Sequence, residues 1–219
     1  MGNANTIPSI YINSYFSVKR FNILVRDFGR DVVERNKIER ERVIGAMFFI
    51  TLSIDSGKEY FLRVNNLGDT DAIGAEFAIG DDGRRREKLH NLEIVEFVDY
   101  YSGELLELIK SKLEKAYPDY YSLVCYINRD SEIEIGNLAR SIAIEKPKLS
   151  SIWIMSNQNG QCFAYQIYPT VSEFRFNLFE SLSKQRLGDF YKTRRGSGKG
   201  DFEELGFISL PFGSNLEEK

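Results

Sequence analysis

The pattern of apolar and polar positions between residues 92 and 98 is the clearest structural signal in the chain. Five of these seven residues are apolar and the other two are glutamates, Glu93 and Glu96. Because successive side chains of a strand point to opposite faces, Glu93 shares a face with Val95 and Phe97, and Glu96 lies on the other face. A carboxylate on so apolar a strand lies at the edge of the sheet, is paired with a cation, or has a role in catalysis or binding.

The spacing of apolar residues predicts elements on both sides of this strand. Steps of three to five residues indicate helices, and short apolar runs between turn residues indicate strands. In chain order the predicted elements are a helix at 31–54, strands at 60–64, 71–79 and 92–98, a helix at 105–117, a strand at 121–127, a helix at 133–144, a strand hairpin at 152–155 and 162–168, and a helix after Glu173. Residues 84–91 are predicted to be a charged connection between two of the strands.

This order of elements predicts an α/β fold with a central mixed β-sheet flanked by helices. We expect the core domain to span residues 31–187. Residues 1–30 show no single period and are predicted to be an N-terminal extension. Residues 188–219 include the stretch richest in glycine and arginine and are predicted to be a C-terminal linker and tail.

Composition narrows the chemistry that the chain offers. Hydrophobic residues make up 42% and charged residues 28% of the 219 positions, as in an ordinary globular protein. Cys125 and Cys162 each lie in an apolar run and are predicted to be buried free thiols. With His90 as the single histidine, a structural zinc site is excluded. A bound metal would need oxygen ligands, which points to Mg²⁺, Mn²⁺ or Ca²⁺.

Charge and hydropathy limit the partners. No apolar run is long enough to span a bilayer, and the N-terminus lacks a secretory signal pattern, so we expect a cytoplasmic protein without a membrane partner. The net charge is −3. A global positive field for nucleic acid is therefore absent, and contacts with DNA or RNA would depend on local patches.

The element order, with acidic residues on the second and third strands, resembles the restriction-endonuclease-like nucleases, also called the PD-(D/E)xK superfamily. The resemblance covers about residues 33–168. It implies a restriction-endonuclease-like fold in which Asp71 and Glu93 bind Mg²⁺ or Mn²⁺ and activate a water molecule. Glu76 or Glu96 would be an auxiliary metal ligand.

Two further implications concern neighbouring positions. The preceding helix would add another acid, either Glu39 or Glu41. The family places a lysine two residues after the strand glutamate, where this chain has Val95. Lys88 or Arg86, just before the strand, would then supply the missing positive charge as a charge stabiliser.

Two clusters of basic residues are candidates for contacts with a phosphate backbone. The first consists of Arg84, Arg85 and Arg86 beside Lys88, and the alternative is a solvated loop balanced by nearby acids. The second consists of Arg194, Arg195 and Lys199 among glycines, and the alternative is a flexible linker.

Each candidate acid also has a structural alternative. Asp71 would close a turn, Glu93 would be exposed on an edge strand, and Glu76 and Glu96 would pair with Arg63 or Lys58 across strands. Two functions therefore stay open. The first is a divalent-metal-dependent nuclease, or a catalytically degenerate relative that binds nucleic acid. The second is a non-enzymatic protein-interaction module of a multi-protein defence or mobile-element system. A homodimer is compatible with both.

Overall fold

The fold is built around one large sheet. The computed structural model describes residues 9–64, 70–79, 81, 85–115, 117–183, 191–194 and 202–204. The strands in these residues are β1 (Ser9–Asn13), β2 (Tyr60–Val64), β3 (Ala72–Ile79), β4 (Arg85–Val98), β5 (Tyr121–Asn128), β6 (Ser151–Gln158), β7 (Gln161–Tyr168), β8 (Ser172–Asn177), β9 (Tyr191–Arg194) and β10 (Phe202–Glu204). The helices are α1 (Ser14–Phe28), α2 (Arg30–Glu34), α3 (Lys37–Ser56), α4 (Leu105–Leu113), α5 (Ile135–Glu145) and α6 (Leu178–Ser183).

The described strands pair in the order β10-β9-β1-β2-β3-β4-β5-β6-β7-β8. Strands β2, β3 and β4 form an antiparallel meander. Strands β4, β5 and β6 run parallel, and the crossovers between them contain α4 and α5. Strands β7 and β8 return to antiparallel pairing. The prediction of an α/β fold with a mixed sheet flanked by helices is confirmed.

Helix α3 is the most deeply buried helix of the described chain. It begins after Asn36, whose side chain accepts hydrogen bonds from the N–H groups of Ile38 and Glu39, and it ends at Gly57 in the left-handed conformation. Residues 44–51 are all buried. A helix that is apolar on every side must be covered on every side, and α3 lies between α1 and the sheet.

Strand β4 separates two hydrophobic cores. Leu92 and Ile94 face the core that contains α3, and Val95 and Phe97 face the core that contains α4 and α5. This alternation agrees with the pattern read from residues 92–98. It places Glu93 on the α4 side of the sheet.

Two predicted elements are wrong. The charged segment before residue 92 is a strand from Arg85 onward, because β3 provides a pairing partner for each residue of 85–92. The segment after Val171 is strand β8 instead of a helix. Its Phe174 and Phe176 alternate with exposed Glu173 and Arg175, which is the period of a strand. The helical part begins only at Leu178.

The predicted terminal segments contribute to the same sheet. Residues 9–28 supply β1, which pairs with β2, and α1, which packs on α3. Residues 191–194 and 202–204 supply β9 and β10 next to β1. Both cysteines are buried free thiols, as predicted. None of the helices in the described ranges is long and apolar enough to cross a bilayer.

We predict that Gly74→Ala destabilises the fold, because a Cβ at this position would lie 2.2 Å from the Phe49 ring of α3. Overpacking of this kind costs about 1–3 kcal/mol, and for a domain of this size each kcal/mol lowers Tm by about 2–4 °C. The measurement is thermal unfolding by circular dichroism. Gly136→Ala on α5 is the control, since its nearest neighbouring atom is 3.8 Å away. Equal melting temperatures for the two variants would contradict the close packing of α3 on β3.

Candidate functional site

The pairing of β3 with β4 brings Asp71 and Glu93 together. The register pairs Ile73 with Asn91 and Ala72 with Leu92, so Asp71 comes opposite Glu93 one step further on. Opposite residues of an antiparallel pair have Cβ atoms about 5 Å apart. The two acids that the sequence places on separate strands are therefore neighbours.

Backbone hydrogen bonds hold Asp71 at this point. Its N–H donates to the carbonyl of Leu92 at 3.1 Å, and its Oδ2 accepts from the N–H of Ile94 at 2.8 Å. A buried N–H needs an acceptor, and the Asp71 carboxylate serves Ile94 where the β3 ladder ends. Asp71 therefore has a structural role at the start of β3, near the turn that the sequence analysis assigned to it. Its carboxylate also lies beside Glu93.

Helix α3 adds a carboxylate and a lysine from its first turns. Glu41 is 7% exposed. The Nζ atom of Lys37 lies 3.0 Å from Glu41 Oε1 and 4.0 Å from Asp71 Oδ1. Of the two helix acids that the resemblance allows, Glu41 is the one at the site. Glu39 instead pairs with Arg20 and Arg42.

The end of α4 adds two lysines on the Glu93 side. Lys112 Nζ lies 3.1 Å and Lys115 Nζ 3.5 Å from the same oxygen, Glu93 Oε1. Glu93 is 6% exposed. Tyr117 lies next to Glu93, and burial, followed by this carboxylate, raises the pKa of the tyrosine. Glu93 is thus a buried carboxylate held by two ammonium groups.

These side chains line one cavity of about 700 Å³. Its charged walls come from α3, the start of β3, the middle of β4 and the end of α4. The lining residues that carry charge or a hydroxyl are Lys37, Asp71, Glu93, Lys112, Lys115, Tyr117, Tyr120 and Tyr121. The cavity therefore combines oxygen ligands for a cation with ammonium groups for an anion.

Burial and mutual repulsion raise the pKa of two carboxyls. The pKa of Asp71 lies above its ordinary value, chiefly because of desolvation, and the charge of Glu93 adds to the rise. The pKa of Glu41 is raised by desolvation first and also by its contact with Asp71. Lys37 has a raised pKa because it is hydrogen-bonded to Glu41 and faces the other acids. A further positive charge in the cavity would favour ionised Asp71 and Glu41.

The donor set fits Mg²⁺ or Mn²⁺ in chemistry, because both ions prefer carboxylate oxygens and keep several waters. Asp71 and Glu93 provide such oxygens side by side. In the described ranges, however, no group of three or more histidine, cysteine, aspartate or glutamate side chains is arranged to hold a metal ion. Water or substrate would have to complete the coordination of an ion bound here.

The other predicted metal ligands lie elsewhere. Glu76 pairs with Lys58 at 2.5 Å and faces His90 at 3.9 Å. Glu96 lies on the α3 side of β4 and pairs with Arg40 at 2.9 Å. Ion pairs of this kind were the structural alternative for both acids. Lys58 is a predicted partner of Glu76, whereas Glu96 pairs with Arg40 instead of Arg63 or Lys58. The geometry does not bring either acid to Asp71.

Lys88 and Arg86, which were predicted to supply the positive charge, lie away from the cavity. Lys88 is opposite Glu76 in the β3–β4 pairing, five residues before Glu93. At about 3.3 Å per residue this places it about 16 Å along the strand. Arg86 is exposed, further still from Glu93. Neither residue reaches the cavity, because the segment is a straight strand and not a loop that could fold back.

The proposed nucleic-acid contacts fall largely outside the described residues. Arg84, Arg195 and Lys199 are not among them, and for Arg85 and Arg194 the structure describes the backbone only, in β4 and β9. Their role in binding DNA or RNA stays a prediction.

Lys112 was not among the predicted site residues, although its spacing along α4 indicates that it faces the protein interior. Leu105, Leu108 and Ile109 form the buried face of α4, and Lys112 follows at the spacing that continues this face. A lysine on an apolar stripe needs an anionic partner at the same depth. Lys37, Lys115 and Tyr117 lie at helix ends and had no comparable signal.

Comparisons of the chain with models of protein families, with curated protein sequences and with solved structures give no significant match.

We predict that Glu41→Gln stabilises the protein at neutral pH in the presence of a metal chelator. A carboxyl whose folded pKa is raised favours the protonated form, so the free energy of unfolding falls as pH rises from the unfolded pKa near 4 through the folded pKa. Removing that carboxyl should raise Tm at pH 7 and leave it unchanged near pH 3.

The measurement is Tm against pH for the wild type and the variant. Glu59→Gln, at an exposed position, is the matched control and should change Tm little at either pH. A lower Tm for Glu41→Gln at pH 7 would show that the Lys37 ion pair outweighs the burial of Glu41.

Proposed function

We propose that the chain is a divalent-metal-dependent nuclease of the restriction-endonuclease-like class, with Asp71 and Glu93 as metal ligands. The observation that supports this most directly is the convergence of residues from four elements on one cavity. Asp71 lies directly before β3, β4 supplies Glu93, α4 supplies Lys112, and α3 supplies Lys37, which pairs with Glu41.

The order of elements also supports the proposal. Helix α3 is followed by the meander β2–β4, and then by α4, β5, α5 and β6 with β4, β5 and β6 parallel. This is the arrangement that the resemblance implies, and the acids fall at the expected strand positions. Lys112 offers from α4 the positive charge for which β4 has Val95.

Each residue has a definite task in phosphodiester hydrolysis. When bound, Mg²⁺ or Mn²⁺ would polarise the scissile phosphate and lower the pKa of a water. Asp71 and Glu93 would hold the ion, and the hydrogen bond from the Ile94 N–H fixes one oxygen of Asp71. Lys112, 3.1 Å from Glu93, donates to a phosphate oxygen and stabilises the negative charge that develops there.

A second candidate is a relative that binds nucleic acid without cutting it. It is favoured by the two lysines that already contact Glu93 Oε1. These ammonium groups satisfy the carboxylate and compete with a cation for it. The protein-interaction module stays as the alternative if neither a metal ion nor nucleic acid binds.

We predict that Mn²⁺ raises Tm and that Asp71→Ala with Glu93→Ala abolishes the rise. An ion at about 100 times its Kd adds about 2.7 kcal/mol, which corresponds to several degrees for a domain of this size. The measurement is differential scanning fluorimetry with and without Mn²⁺, followed by plasmid nicking with the same samples.

The matched control is Asp55→Ala with Glu173→Ala, which removes two exposed acids away from the cavity. It should keep the full Mn²⁺ shift and the nicking activity. An equal Mn²⁺ shift in both double variants would place the ion elsewhere. No shift and no nicking in the wild type would refute the nuclease.

Lys112→Met separates metal binding from hydrolysis. The variant should keep the Mn²⁺-dependent rise in Tm, because it removes no oxygen ligand. Nicking should fall about 100-fold or more, the cost of losing one group that stabilises charge in a transition state. Nicking at the wild-type rate would show that Lys112 serves only to pair with Glu93.

A further inference from the structure

A second cavity of about 600 Å³ adjoins the first. It lies between the end of α4 and the segment that follows α5. The two cavities share Lys115 and Tyr117, whose side chains contact each other with Lys115 Nζ 6.0 Å from the ring centroid. Lys115 and Tyr117 therefore lie on the boundary between the two cavities.

Lysines without an assigned partner distinguish the second cavity. Lys110 pairs with Glu145 at 2.6 Å. Lys146 and Lys148 are exposed and form no ion pair with a described residue. Lys146 is the residue that caps α5, and Lys148 lies two residues further along the chain. Glu114 and Asp119 line the same cavity and lower its net positive charge.

The backbone at Lys146 fixes where this lysine leaves the helix. Lys146 ends α5 with φ 48°, in the left-handed region where glycine is the least strained residue. In this conformation its N–H donates to the carbonyl of Ala143 at 3.3 Å and closes the helix. A glycine at this position would relieve the backbone and keep the same cap.

An exposed aromatic ring lies at the rim of the first cavity. Tyr120 is 60% exposed, and its ring centroid is 5.3 Å from that of Tyr121. Tyr121 is buried and stacks on Tyr117, so it supports Tyr120 from behind. An exposed ring beside a phosphate site can stack on a nucleobase, but only on one that is not paired within a duplex.

We propose that the substrate is a nucleic-acid strand with an unpaired base beside the scissile phosphate. The scissile phosphate enters the first cavity, Tyr120 stacks on the adjacent base, and Lys146 and Lys148 bind the next phosphate, with Lys115 between the two cavities. This rests on the proposed function, in that the first cavity is taken to hold the scissile phosphate.

The test is fluorescence anisotropy in a metal chelator, with a labelled oligothymidylate single strand and a labelled duplex of the same length. Lys146→Gly with Lys148→Gln should weaken single-strand binding about tenfold. It should also reduce the slope of log K against log salt by about 0.7, the value for one lost phosphate contact on a single strand. Because glycine relieves the left-handed backbone, Tm should not fall.

The matched control is Lys19→Gln with Arg26→Gln on α1, which makes the same change in net charge away from both cavities. It should bind like the wild type. If both double variants lose affinity equally, binding depends on net charge alone and the site is refuted.

Tyr120 gives an independent measurement. Tyr120→Ala should weaken single-strand binding about tenfold, since stacking on one base is lost, and should leave duplex binding unchanged. Tyr120→Phe should restore the affinity. Equal losses for single strand and duplex, or no loss for either, would overturn the stacking.

The two proposals fail in different ways. The first outcome is that the Lys146/Lys148 and Tyr120 variants bind single strands like the wild type and the protein still nicks DNA with Mn²⁺. It refutes the proposed binding of a strand across the two cavities and leaves the nuclease. The second outcome is that these variants lose affinity but the wild type never nicks, which refutes the nuclease and supports a protein that binds a strand across the two cavities.

Discussion

The hydrogen bond from the Ile94 N–H to the Asp71 carboxylate is the interaction on which the candidate site depends. β4 continues beyond the point where β3 begins, so its N–H groups lose their partners there. A side-chain oxygen takes the place of the missing backbone carbonyl. The Asp71 carboxylate, which completes the sheet through Oδ2, thus also faces the cavity. Its other oxygen, Oδ1, is available for another ligand.

The carboxylates around Asp71 are buried, and lysines that pair with them offset the cost of that burial. Burying a carboxylate is costly unless it is paired and hydrogen-bonded. Glu93 meets two lysines, and Glu41 shares Lys37 with Asp71. The pKa values of Asp71 and Glu41 are nevertheless raised, chiefly because burial disfavours the charged form. A cation bound beside them would lower both pKa values.

Much of the fold could be read from the sequence because its elements have strong periods. The α3 helix, the apolar parallel strands and the turn at Asn159 and Gly160 belong to this group. The proximity of Asp71 and Glu93 followed only from the resemblance, because the connection predicted at residues 84–91 does not give the register that brings them opposite each other. The place of Lys112 on the buried face of α4 is visible in the sequence, but its approach to Glu93 depends on how a crossover helix lies on the sheet. Lys88 was misplaced because a run of charged residues resembled a loop, although β3 pairs with all of it.

The burial of residues 44–51 of α3 ties the candidate site to the folding of the molecule. Glu41 lies one helical turn before Ile44, the first of the consecutive buried residues, and Lys37 lies one turn earlier. A substitution that loosens the packing around Phe49 would therefore also displace a carboxyl group. Packing and the candidate site are thus coupled along this helix, whereas Lys146 and Lys148 beyond α5 are exposed and form no ion pair with a described residue. Diversification of the proposed strand binding would accordingly concentrate on that outer margin.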